Sequence, residues 1–199
     1  MIKLDLFLIA FLSTLTIRLM AMESRLEQSS VMASTVQPNM VITDGFDFPV
    51  GAPSAKGYYN AQKFGVNNHL GDDWNGVGGG NTDFGDPVYS VGKGRVTEVS
   101  QFFGGWGKVV RVAYLYQENG VEKQVESLYA HMDSVYVKKD EVLSRGQKLG
   151  TIGNAEGIYL SHLHFEIRNK IALPLGQGYS KDQTGYLDPT KFIKAHRPK

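Results

Sequence analysis

The sequence predicts a mainly β domain: an antiparallel sheet, rolled into a sandwich with an open groove, and little helix. Three observations predict it. From Phe46 onward, short alternating runs are separated by Gly, Asn, Asp and Pro, the mark of strands whose successive side chains face opposite ways. Glu118-Asn119-Gly120 carries the Asn-Gly signal of a tight hairpin. Helical character is confined to one short turn over 189–195.

Taken in order, the chain of 199 residues divides into three parts. In 1–22, Lys3 precedes an apolar run over 6–17 that is bounded by Asp5 and Arg18. As a helix this run spans about 18 Å, short of the ~30 Å bilayer core. It fits a signal peptide or short anchor, with Leu19-Met20-Ala21 as a cleavage site. Residues 23–45, rich in Ser, Gln, Met and Thr, read as a linker or arm. The domain occupies 46–195.

Within it, Val88-Tyr89-Ser90-Val91 leads through Gly92-Lys93-Gly94 to Arg95-Val96-Thr97-Glu98-Val99. Residues 108–116 alternate well, and 124–131 form the return strand of the hairpin. Residues 142–150 read as a turn feeding a short strand, followed by Thr151-Ile152-Gly153, a loop, and a last strand over 161–168.

That last strand carries chemistry. Leu163, Phe165 and Ile167 face one way; His162, His164, Glu166 and Arg168 face the other. A His-x-His pair sets two imidazoles side by side, about 6.5–7 Å apart along one face. One can bind a metal while the other reaches a group held there. With no cysteine, a disulfide framework, a thiolate site and a cysteine nucleophile are excluded. Any metal is held by His, Asp or Glu. His69-Leu70-Gly71-Asp72-Asp73 offers a second metal-competent pair, His69 with Asp73 or with Asp72, where Gly71 lets the backbone fold sharply. His131 closes the strand over 124–131 and by alternation shares a face with Tyr129 and Ser127. His196 lies in a basic tail and reads as solvated. The net charge of +1 gives no polyelectrolyte signal and argues against a partner such as nucleic acid.

In order along the chain, the motifs are His69-Leu70-Gly71-Asp72-Asp73, Gly85-Asp86-Pro87-Val88-Tyr89-Ser90, Tyr129-Ala130-His131-Met132 and Ser161-His162-Leu163-His164-Phe165-Glu166. Gly146-Gln147-Lys148-Leu149-Gly150 and Leu187-Asp188-Pro189 accompany them. Over about 57–193 the sequence resembles the lysostaphin-type (LytM-like, M23) zinc metallopeptidases, which cut peptide bonds of bacterial peptidoglycan. The resemblance implies one Zn2+ per chain held by His69, Asp73 and His164, with His131 and His162 as the catalytic pair. It implies an exported endopeptidase acting on peptidoglycan peptides in the periplasm, envelope or medium, touching a membrane only through an uncleaved N-terminus. It leaves oligomeric state open.

Two features depart from the family pattern. The link over 74–84 is long and Gly-rich, and is either a groove wall or an inert insertion. Ser161 stands where Gly or Pro is common. Glu166 either accepts a hydrogen bond from a zinc ligand's free N–H or forms a plain ion pair. Trp74, Trp106, Phe102, Phe103 and Tyr159 either line the groove or belong to the core. Two competing readings are a non-hydrolytic wall- or partner-binding module on the same fold, and a biotinyl- or lipoyl-type carrier. The carrier is disfavoured, because Lys93 lacks flanking Met residues and the five-residue constellation has no place in one.

Overall fold

A computed structural model describes residues 42–198. The sequence expectations for 1–22, and for 23–41 of the linker, lie outside the described residues. Ten strands follow one another: β1 (Tyr58–Gln62), β2 (Asp72–Gly76), β3 (Pro87–Tyr89), β4 (Gly94–Phe102), β5 (Gly107–Glu118), β6 (Val121–Val135), β7 (Val142–Leu143), β8 (Lys148–Ile152), β9 (Leu163–Arg168) and β10 (Tyr186–Leu187). They form one sheet in the order β1-β2-β9-β6-β5-β4-β7, with β10 on β9, and with β8 joining β3 to β6. Every strand pair is antiparallel. The long β5–β6 hairpin turns at Asn119 (φ 53°) and Gly120 (φ 77°), the left-handed pair that a two-residue turn requires.

The only α-helix among the described residues is α1 (Pro189–Ala195). Asp188 caps it by accepting from the Lys191 N–H at 2.9 Å, which satisfies one of the free donors of the first turn. Its residues Phe192 and Ile193 close the core over one face of the sheet, where Leu163, Phe165 and Ile167 of β9 and Tyr129 of β6 are buried.

Residues 42–45, read from sequence as the end of a linker, are packed into the fold. Ile42 bridges Leu115, the Thr43 N–H donates to the Leu115 carbonyl at 2.8 Å, and Asp44 pairs with Arg145 at 2.9 Å. Phe46 is fully buried and meets Phe192, Tyr114 and Tyr116 edge-on at 4.9, 5.5 and 5.7 Å. His196 is held rather than solvated: Nε2 lies 2.9 Å from Glu118 Oε1, and the ring packs on Phe192 at 4.4 Å. Truncating Phe46 to Ala removes the ring on which this cluster closes. Equilibrium urea unfolding is expected to show a loss of about 3–5 kcal/mol.

Candidate metal centre

The opposite face of the sheet carries the site. In the antiparallel register of β2 and β9, Asp73 stands opposite His164, with Asp72 opposite Phe165 and Trp74 opposite Leu163. Because strand side chains alternate, Asp73 shares the His164 face while Asp72 and Trp74 point to the other. This settles which carboxylate turns inward. Asp72 instead accepts from the Phe64 N–H at 3.0 Å and the Thr190 hydroxyl at 2.6 Å. Gly71 serves close approach rather than a sharp fold: a Cβ there would lie 2.5 Å from the Phe165 carbonyl oxygen and 3.0 Å from His164 Cε1.

Three side chains converge. His69 Nε2 lies 3.0 Å from His164 Nδ1 and 3.2 Å from Asp73 Oδ1. His164 Nδ1 lies 2.9 Å from Asp73 Oδ1. Three ligands on a tetrahedral zinc at about 2.0–2.1 Å would stand about 3.3–3.4 Å apart, so the triangle needs to widen by only a few tenths of an ångström. The donor set of two imidazoles and one carboxylate fits such an ion.

His164 is oriented from behind. Its Nε2 lies 3.0 Å from Glu166 Oε1, and Glu166 accepts from Arg168 Nε at 2.6 Å. Glu166 therefore does both things that the sequence left open: it holds a histidine and pairs with an arginine. The strand is also not half-buried, since every residue of β9 is buried. A segment beyond β9 covers the polar face. Arg168 donates to the carbonyls of Leu173 and Leu175 at 3.2 Å, and Arg111 also donates to Leu173 at 2.6 Å. The same segment then reaches His69, where the Leu70 N–H donates to Gly178 at 2.9 Å and the Tyr179 ring lies 5.1 Å from the imidazole.

His131 departs from the alternation expected of it. Between β5 and β6 the register runs from Val110 opposite Tyr129 to Lys108 opposite Met132, so β6 carries one extra residue there. His131 has φ 60°. This bulge turns the ring away from the Tyr129 face, where alternation would put it, and onto the His164 face at 5.6 Å. His162 stands 4.7 Å from His131. Each ring has Nδ1 against a backbone carbonyl, His131 against Trp106 at 3.3 Å and His162 against Leu160 at 2.8 Å. A carbonyl only accepts, so Nδ1 carries a hydrogen in each ring, and in the neutral form of the ring the lone pair is then on Nε2.

Electrostatics follow from this packing. Burial pushes His131 down to about 3, assisted by the charge of His164 and His162, which leaves it neutral near pH 7. Burial opposes a charge on His164, but hydrogen bonds to Asp73 and Glu166 outweigh it and raise the ring to about 9. Burial would raise Asp73, but hydrogen bonds from His164 and His69 overcome it and hold the carboxyl well below the usual range.

All five sequence-predicted residues except His69 line a cleft of about 230 Å³, together with Trp106, Tyr159, Gln62 and Tyr179. His69 lies fully buried beneath it. Of the aromatics weighed from sequence, Trp106 and Tyr159 reach the cleft, whereas Trp74 belongs to the core. No local pattern in the sequence marks Tyr179 or Gln62, which the fold brings to the cleft. The left-handed backbone at His131 predicts that Asn, which tolerates it, will preserve stability there. Val at the same position is expected to cost about 1–2 kcal/mol more, read from paired thermal unfolding curves.

Comparisons with known proteins identify a family. A family model described as peptidase family M23 matches residues 73–178. Peptidoglycan DD-endopeptidase ShyB of Vibrio cholerae is 34% identical over 116 residues, covering 53% of this chain and 25% of that protein. Murein hydrolase activator NlpD of Salmonella dublin is 29% identical over 86 residues, covering 43% of this chain and 21% of that protein. The chain thus spans about a quarter or less of the length of these two relatives. An M23 peptidase crystal structure from Pseudomonas aeruginosa shares the fold, with a TM-score of 0.55 at 22% identity, covering 87% of this chain and 60% of that one. Since the family model takes in more than half of its residues, the chain belongs to peptidase family M23.

Proposed function

We propose that the chain is an exported zinc-dependent endopeptidase hydrolysing peptide bonds of bacterial peptidoglycan. In this reading His69, Asp73 and His164 hold the zinc, and His131 and His162 are the catalytic pair. The observation that carries it is the three-atom convergence under an open cleft, beside two imidazoles each held to a backbone carbonyl through Nδ1. The ShyB relative, by name a peptidoglycan DD-endopeptidase, supports the substrate class. Zinc is favoured because two imidazoles and a carboxylate form an open three-ligand set.

When bound, zinc supplies Lewis acidity, which acidifies water and polarises an amide carbonyl. The chain's residues do the rest. Glu166 fixes His164 and leaves its Nδ1 facing the centre. His131 and His162 take a proton from the attacking water and deliver one to the leaving amine. The walls formed by Trp106, Tyr159 and Tyr179 hold the peptide over the floor. Export rests on the apolar run over 6–17 and its flanks. A second reading has one specific support, the relative named murein hydrolase activator: a module that binds wall or partner without cutting.

One assay separates the two. The chain is incubated with peptidoglycan sacculi; soluble fragments should appear, cease with a chelator and return with zinc. Zinc binding without release of fragments would favour the module. His162→Ala is expected to keep the zinc and lower turnover by about 10²–10⁴-fold. Glu166→Gln should weaken zinc binding by about 10–100-fold, measured by chelator competition. A pH dependence also follows. His164, raised to about 9 without metal, must lose its Nδ1 proton for a metal to enter. Zinc affinity is therefore expected to climb with pH until about 9, with proton release visible by calorimetry in buffers of different ionisation enthalpy.

A further inference from the structure

His164 and His162 sit two residues apart but are held in different ways. His164 is locked by ladders on both sides, opposite Asp73 on β2 and Ala130 on β6. His162 lies before β9 begins and has a single bridge, to Gly153. The residues leading into it are exposed, Ile158 by 58%, Tyr159 by 44% and Leu160 by 63%. The ladder alone therefore does not fix the ring that stands over the cleft.

Ser161 supplies what the ladder lacks. It is fully buried, and each of its polar groups is engaged by β2 or by the Gly-rich stretch that follows it. Its N–H donates to Asn81 Oδ1 at 2.8 Å, its carbonyl accepts from Asn75 Nδ2 at 3.2 Å, and its hydroxyl donates to Asp83 Oδ1. The other Asp83 oxygen accepts from the Gly76 N–H at 2.8 Å. Asp83 is itself only 2% exposed. One buried carboxylate thus ties the end of β2, the strand that presents Asp73, to the residue before His162. Gly76 allows the approach, since a Cβ there would lie 3.0 Å from Asp83 Cβ.

We infer that Asp83, acting through Ser161, is the positioning residue that sets His162 over the cleft relative to the strand carrying Asp73. The long link over 74–84 is then the part that delivers this carboxylate, neither an inert insertion nor only a wall. Misplacing a proton-transfer group by about an ångström can cost 10²-fold in rate. The inference rests on reading His162 as part of the catalytic pair, and its test therefore includes a signal independent of cleavage.

The experiment uses the full zinc-loaded chain. Long-range 1H–15N spectra report the tautomer of each histidine ring, and turnover of sacculi is measured beside them. With Asp83→Ala, the fixed Nδ1–H signature of His162 should give way to mixed tautomers, while the His69 and His164 signals and the zinc content stay as in the wild type. Turnover should fall by about tenfold or more with KM within about twofold. Asp83→Asn retains an oxygen for Gly76 and an N–H group for the Ser161 hydroxyl, and should restore both readouts in large part. Should Asp83→Ala fail to fold, Ser161→Ala removes only the hydroxyl and is expected to move the His162 signal in the same direction. An unchanged His162 signature, or equal disturbance of His69, His164 and zinc content, overturns the inference. If the wild type releases no fragments, the peptidase reading fails, and the ring spectra alone still decide the positioning role.

Discussion

The register between β2 and β9 is the constraint on which the site depends. Asp73 faces His164 only because Asp72 pairs with Phe165 and Trp74 with Leu163. A slip of one residue would turn Asp73 toward the core and Asp72 toward His164, exchanging the two faces along β2. The register is fixed chiefly from the apolar side, where Trp74, Leu163 and Phe165 share one buried cluster. Gly71 then admits the chain to contact distance. Hydrophobic packing on one face of the sheet thus decides the chemistry available on the other.

Much of this was legible in the sequence, for physical reasons that can be named. The alternation of 163–167 was legible because its apolar side fills the core and leaves a clear period. The Asn119-Gly120 turn and the helix over 189–195 announce themselves through backbone preferences that few other residues share. Asp73 could not be separated from Asp72, since both precede Trp74 in a stretch without an alternating apolar pattern, and the partner strand makes the choice. Alternation puts His131 on the wrong face because a bulge is a property of two strands together, and the sequence of β6 alone shows no extra residue. The burial of Glu166 and Arg168 was equally hidden. Their cover is a segment of irregular backbone, and the carbonyls it offers belong to no recognisable motif.

The polar face of the sheet is organised by charge pairing. Glu126 and Glu166, both almost wholly buried, would be costly alone; an uncompensated charge in such a setting costs several kcal/mol. Arg111 meets Glu126 at 2.7 Å and Glu98 at 3.1 Å, and Arg168 meets Glu166 at 2.6 Å. Their remaining N–H groups go to main-chain carbonyls, which satisfies donors that water cannot reach. Such an arrangement contributes more to uniqueness than to net stability, because each member has one geometry in which all partners are met.

Those carbonyls belong to the segment that returns from β9 toward His69, and this gives the cover a kinetic meaning. Arg168 grips it at Leu173 and Leu175, and Gly178 and Tyr179 brace the His69 backbone and ring. Two of the three converging side chains are consequently linked through protein as well as across the gap between them. An excursion that peels the segment off β9 strips His69 of its bracing and uncovers Arg168 in the same event. Local opening of this one stretch, rather than unfolding of the sheet, is then the shortest route by which anything held among His69, Asp73 and His164 would escape.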